Sequence, residues 1–581
     1  VSDARAFPAV AAVVAAVAVA ACLLVDSPAG RIAVLAATLA TSTALELARS
    51  RNVLSPVVVV AGLFAWFYVA KPLHVLEVGV ISSGTSVDAI PVLGAWRSVM
   101  AEALLAVTVA FCLVNLAFQI VVAGRRPAPA PRPATTHELD PALFRLAAAA
   151  VVAIDVVAFG LLVRAAGGLS AYVGGLALRS DSLAGLSFLT LATVPLNLLL
   201  LVGLTARFRG VRGAPGSGLL LALGGLALGS ALLTGGRASL LTGLLLPVLV
   251  VVHYARRRIG AVVAASLAFA GMVAYVALGA LLRDSQFSRT AGLGPWDFVR
   301  ARLGDLHESL VGGLAVVPYD SLVRVMGARA FGDLTWQQGA TYRSILTWPV
   351  PRALWAEKPA GGGNAWFTET YVPRFYGDER IESSLSFVGE SYANFGWAGV
   401  VLGSLLMGTL VGLLHARLRH ARLPGVGGSG DAFSLPLYAA VLGFLSPAFR
   451  GDAYHNVTGV VFAVAVWWGM RAVLTRVPAR TAQSALASSR TVAAESSQEK
   501  RPASSRRLAG EPGVVAARRR LALISSTDVG SANTAEPAGA SHRYAGMSLS
   551  SSVPVIEAAA STTGMPKPSA RLTLVKTEAS R

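Results

Sequence analysis

Residues 98–122 read SVMAEALLAVTVAFCLVNLAFQIVV, a run whose single charge is Glu102. A helix rises about 1.5 Å per residue and needs roughly 20 mostly apolar residues to cross about 30 Å of hydrocarbon. A helix that is apolar all round has no face to offer water, so this run reads as a bilayer-spanning helix. Working outward, the stretches 9–25, 32–48 and 53–70 before it read the same way. So do 143–163, 186–206, 217–234, 238–254, 259–282, 395–414, 433–449 and 454–474 after it. The expected fold class is all-α: a polytopic integral membrane protein of about twelve transmembrane helices.

Composition agrees. Of 581 residues, 54% are hydrophobic and 14% charged, where a soluble chain carries about 25% charged residues. A net charge of +19 ordinarily prompts a nucleic-acid reading. Here the cations flank apolar runs, so the expected partner is the lipid bilayer and no nucleic acid. The two cysteines, Cys22 and Cys112, lie inside apolar runs, which excludes a disulfide framework and a cysteine-rich zinc site. Val19-Ala20-Ala21-Cys22 has the look of a lipoprotein cleavage site, but apolar Leu23-Leu24-Val25 follows in place of a polar linker. An ordinary first span is expected there.

Arginine-rich short loops stay cytoplasmic. Arg49 and Arg51, Arg125 and Arg126, Arg207 and Arg209, Arg256 to Arg258, and Arg417 and Arg419 crowd alternate loops. Both termini are therefore expected in the cytoplasm, in a multi-pass protein of the cell membrane. Residues 1–123 form the N-terminal helices, and 124–140 a Pro-rich basic linker on the cytoplasmic side. Residues 141–474 form the second, larger group of helices. Residues 475–581, rich in Ser, Ala and Arg, are expected to be a disordered cytoplasmic tail.

The long segment 283–392 then falls on the outer face. Loops of that length usually have a function or structure of their own. Apolar residues recur at helical spacing through Phe298–Val317 and Leu322–Phe331, so short amphipathic helices resting on the outer leaflet are expected. Its aromatic residues, Trp355 among them, suit an interfacial belt or a platform for sugar rings. Cations on this face run against the orientation bias. Arg237 follows Thr234-Gly235-Gly236, Arg283, Arg352 and Lys358 lie in the long loop, and Arg450 opens Arg450-Gly451-Asp452. Several arginines beside glycine-rich backbone suggest an anionic ligand at headgroup level, for which pyrophosphate on a lipid carrier is a fit. Outer stretches carry neither an Asp-x-Asp pair nor clustered histidines, so neither a metal nor a cofactor is expected. Glu390 and Asp452 are the outer-face acids beside span ends and are candidate bases, with His455 the alternative to Asp452. Glu390 also reads as a dipole-complementing acid, and Asp452 as a helix cap. Asp155, in mid-span, is expected to make an interhelical hydrogen bond.

Three stretches carry a resemblance. These are Thr234-Gly235-Gly236-Arg237-Ala238-Ser239; Gly339-Ala340-Thr341-Tyr342 leading to Pro351-Arg352-Ala353-Leu354-Trp355-Ala356-Glu357-Lys358-Pro359; and Gly389-Glu390-Ser391-Tyr392-Ala393-Asn394-Phe395-Gly396-Trp397-Ala398-Gly399. With the long outer loop, they resemble the bacterial oligosaccharide repeat unit polymerases, also called Wzy-type O-antigen polymerases. The resemblance spans roughly residues 140–474. It implies a metal-independent glycosyltransferase that polymerises undecaprenyl-pyrophosphate-linked oligosaccharide units at the outer face of the cytoplasmic membrane. A flippase and a chain-length regulator are the partners it implies. Tyr392 and Asn394 would then position sugar or brace the helix start. Two other readings stay open: a ligase using the same lipid-linked donor, and a transporter or flippase of lipid-linked sugars.

Overall fold

The computed structural model describes residues 6–81, 90–92, 94–124, 138–175, 187–233, 239–256, 258–278, 280, 294–312, 317–348, 350, 354–355, 358, 361–372, 383–419 and 432–476. Arg237, Arg283 and Arg352, most of the 124–140 linker and the tail beyond 476 lie outside the described residues.

The chain is built of helices. In order they are α1 (Ala6–Leu24), α2 (Pro28–Ser50), α3 (Pro56–Val78), α4 (Ala95–Gly124), α5 (Pro141–Ala165), α6 (Leu189–Phe208), α7 (Ser217–Leu233), α8 (Leu240–Ala255) and α9 (Ala261–Leu278). Four follow in the long loop: α10 (Pro295–Gly304), α11 (Pro318–Ala330), α12 (Ala340–Thr347) and α13 (Gly362–Tyr371). The last three are α14 (Ser386–Arg419), α15 (Ser434–Leu445) and α16 (Ala453–Leu474). Among the described residues nine are long and apolar enough to cross a membrane, while α7, α8 and α15 are apolar but shorter. This is a membrane protein.

Local sequence explains where helices start. Ser27 and Asp140 accept hydrogen bonds from the exposed N–H groups of α2 and α5, and each precedes a proline at the first helical position. Large apolar side chains point outward, including Val13 and Val17 on α1, Val156 and Val157 on α5 and Val262 on α9. In water such a belt would aggregate; hydrocarbon accepts it. Inside, helices meet through small residues. A Cβ on Gly408 of α14 would lie 2.3 Å from the Val114 carbonyl oxygen of α4, and one on Gly412 would lie 3.0 Å from Val121 Cβ. This small-xxx-small spacing brings the two backbones together.

Several buried polar groups are paired across helices. The Glu46 carboxylate accepts from Arg49 (2.6 Å), Ser55 (2.7 Å) and Gln119 (3.3 Å). Ser230 of α7 donates to Asp155 of α5 at 3.0 Å, the interhelical bond expected. Lys71 directly follows the apolar run 53–70 in the sequence, yet it is a buried residue of α3, 3.3 Å from equally buried Asp320 of α11. The expectation for α11 changes with it. Tyr319, Leu322, Val323, Val325 and Met326 are all within 1% of full burial, and Asp320 and Ser321 are buried too. This helix is a core element enclosed on all sides, where the apolar periodicity alone predicts one lying on the leaflet surface.

Two ends of the chain's larger group of helices meet. Glu138–Leu139 (β3) pairs antiparallel with Thr475–Arg476 (β4); the other short pair is Val80–Ile81 (β1) with Ile90–Pro91 (β2). Leu139 N–H also donates to the Arg212 carbonyl at 3.1 Å. Gly213, at φ +78°, sits so close that a Cβ would fall 1.8 Å from the Leu139 oxygen, which only glycine allows. Three segments are thus sewn together at one end of the bundle.

Candidate functional site

At the other end of α16, about 33 Å away at 1.5 Å per residue over its 22 residues, two buried carboxylates share one helix N-terminus. Asp452 caps α16: its Oδ1 accepts from the His455 N–H at 3.1 Å. The next backbone N–H, that of Ala453, donates to Glu390 Oε2 at 2.6 Å. Both acids have zero exposure. Burying a carboxylate is costly unless donors replace its water, and here the donors are the uncapped N–H groups that every helix start provides.

A kink lets Glu390 reach this position. Gly396 adopts φ 60°, ψ −142° within α14. The turn carrying Glu390 folds back so that Ser391 lies against Gly399 and Gly403, where a Cβ would meet the Ser391 backbone oxygen at 2.0 Å and its Oγ at 2.6 Å. From α12, Thr341 Oγ1 donates to Glu390 Oε1 at 2.7 Å. Asn394 completes the bracket, donating to Thr341 Oγ1 and to the Glu390 carbonyl, both at 2.8 Å, while its own oxygen takes the Gly339 N–H at 2.8 Å. Asn394 therefore braces the helix start. Glu390 has both oxygens engaged, which makes it a bracket between α12, α14 and α16.

The glycine run 361–363 brings a third helix in. Asn364 N–H, in the first turn of α13, donates to Asp452 Oδ2 at 2.9 Å. Gly362 has φ +74°, and a Cβ there would lie 2.2 Å from Asp452 Oδ2; one on Gly363 would lie 2.9 Å from the Glu390 carboxyl carbon. Ser344 Oγ accepts from Gly362 N–H at 3.0 Å. Thr341, Ser344, Gly362 and Asn364 are absent from the sequence-derived candidates. Three consecutive glycines followed by asparagine were the available signal for close backbone approach.

One reactive group of this cluster meets solvent. Asp452 Oδ1 lies 2.8 Å from His455 Nδ1, and the imidazole side chain is 52% exposed. An ionised carboxylate only accepts, so Nδ1 carries the hydrogen, and whenever the ring is neutral Nε2 is its basic atom. Burial works to raise the Asp452 carboxyl; the His455 charge, its ring N–H and the N–H groups of Asn364 and His455 outweigh it and hold it below the ordinary range. Burial foremost, with the Glu390 charge, pushes the neighbouring Tyr342 hydroxyl well above its usual value; Tyr342 lies 3.3 Å from Ser391 Oγ.

The other candidates separate from the cluster or take packing roles. Arg450 adjoins it: its carbonyl accepts from Ser386 N–H at 3.0 Å, and its Nε is buried with no hydrogen-bond partner. Lys358 Nζ donates to the carbonyls of Trp348 (3.2 Å) and Val350 (3.1 Å), tying the chain after α12. Trp355 is 40% exposed. Tyr392 is 4% exposed, its ring edge-on to Trp336 and Trp397 at 5.7 and 6.5 Å. That is core packing, with no open face for a sugar. No family model, curated protein or solved structure matches the chain.

Proposed function

We propose that this protein is a membrane glycosyltransferase that extends a glycan by transfer from a lipid-linked pyrophosphate donor at the outer face, in a bundle of about twelve spans. One observation carries the reading. Two stretches of the resemblance, Gly339–Tyr342 and Gly389–Gly399, converge through Thr341, Asn394 and Glu390 on the start of α16, where His455, held by buried Asp452, meets solvent. His455 Nε2 takes the proton of an acceptor sugar hydroxyl, as Asp452 holds the ring and offsets the charge it gains. The hydroxyl oxygen bonds to the anomeric carbon, the bond from that carbon to pyrophosphate oxygen breaks, and its electrons leave on the lipid pyrophosphate. Arg450 supplies charge to that leaving group, joined in this proposal by Arg237, Arg283 and Arg352.

The test is the glycan profile of cells lacking the protein, followed by complementation. Accumulation of single lipid-linked repeats supports polymerisation; free full-length polymer points to a ligase, and unchanged glycan overturns the reading. His455→Gln should insert normally yet cut polymer formed per membrane protein by about 10²–10⁴, the usual contribution of a positioned base. Full activity of that variant would remove His455 from the chemistry.

A further inference from the structure

Histidines scattered in the sequence meet at a second place. His74 and Glu77 stand one helical turn apart near the end of α3, and His307 precedes Glu308 at the start of the π-helical turn Glu308–Gly312. Ligand atoms of His74, Glu77 and His307 all lie within 4.8 Å of one another. The pairing crosses between segments: His74 Nε2 is 3.2 Å from Glu308 Oε2, and His307 Nε2 is 3.9 Å from Glu77 Oε2. Trp66 Nε1 donates to the Leu310 carbonyl at 3.1 Å and holds the turn against α3.

We infer that His74, Glu77 and His307 form a binding site for a divalent cation of the zinc class, with Glu308 orienting the His74 ring, clasping the long loop to α3. Two isolated surface ion pairs would explain the distances singly, but not a second feature. His74 is 8% exposed, and its Nδ1 is buried with no hydrogen-bond partner. With Nε2 donating to Glu308, Nδ1 is held out of water with a lone pair that no protein group uses, which a buried imidazole seldom tolerates and a metal ion would take up. Imidazole with carboxylate suits zinc and its neighbours over magnesium or calcium, which prefer all-oxygen shells. Zinc holds nitrogen and oxygen ligands at about 2.0–2.2 Å. Closing to that distance asks small rotations of His307 and Glu77, whose side chains are 64% and 73% exposed.

The experiment uses the full chain in detergent, stripped with chelator and titrated with Zn²⁺ and, as a spectroscopic probe, Co²⁺. The expected result is one ion per chain, a visible cobalt spectrum of low coordination number, and a thermal midpoint that rises with free zinc. His307→Ala, at an exposed position that leaves the core intact, should weaken affinity at least tenfold. Absence of stoichiometric uptake by the unaltered chain, or uptake by a His74→Gln/His307→Gln chain equal to it, would overturn the site. Neither result bears on the transferase reading, which uses none of these residues.

Discussion

Asp452 serves two masters with one carboxylate: Oδ1 caps α16 and steers His455, while Oδ2 receives the start of α13. Its folded value lies below its unfolded one. Folding therefore favours the ionised form, and the stability this contributes is complete above the unfolded value, about pH 4. It is lost as pH falls further, through the folded value. The thermal midpoint of wild type should accordingly exceed that of Asp452→Asn at pH 7, and the gap should narrow steadily below pH 4. A gap independent of pH would mean that the aspartate acts by shape alone. The sequence marked Asp452, Glu390 and His455 because acids and imidazoles beside span ends are few enough to notice. It did not tell which was accessible. That depends on Thr341, Ala453 and Asn364 saturating the two acids, and those partners lie up to 112 residues apart in the chain.

Among elements, α11 departs most from its sequence pattern. Its apolar spacing fits a surface helix, yet Asp320 meets Lys71 in the interior. Removing one partner leaves an uncompensated buried charge, at a cost of about 3–5 kcal/mol, whereas replacing both with apolar residues is often neutral. Asp320→Leu alone should deplete folded protein in the membrane, and Lys71→Met with Asp320→Leu should restore it; fluorescence-detected gel filtration of detergent extracts reads both. Equal loss in single and double variants would assign the defect to packing. The kink of α14 was equally hidden. Gly396 stands among other glycines of that helix, and what distinguishes it is a conformation, φ 60°, that the sequence does not display. Gly362→Ala faces both a left-handed φ and the Asp452 oxygen, so it should lower stability by about 1–3 kcal/mol. Gly216→Ala, with open space around it, should be silent in the same thermal assay.

For the whole molecule, the long apolar runs were the legible part, since hydrophobic continuity is a local property of the chain. Which loops share a side is not local, and labelling addresses it. Thr335→Cys should react with a membrane-impermeant thiol reagent in intact cells, and Ser217→Cys should react only after permeabilisation. Cys22 and Cys112 are both buried, which keeps the background low. Reaction of both before permeabilisation would refute the layout. The seam joining Leu139 to Arg212 and Thr475 adds a parity condition to this experiment. A thread that returns to the side it left has crossed an even number of times. Taken as spans, α5 and α6 make an even pair between Leu139 and Arg212. From Arg212 to Thr475 the long helices are α9, α14 and α16, an odd set that would finish on the wrong side. With those helices as spans, one or all three of α7, α8 and α15 would traverse the bilayer as well, and if α15 is one of them its 12 residues, about 18 Å of helix, would need thinned lipid or irregular backbone at its ends.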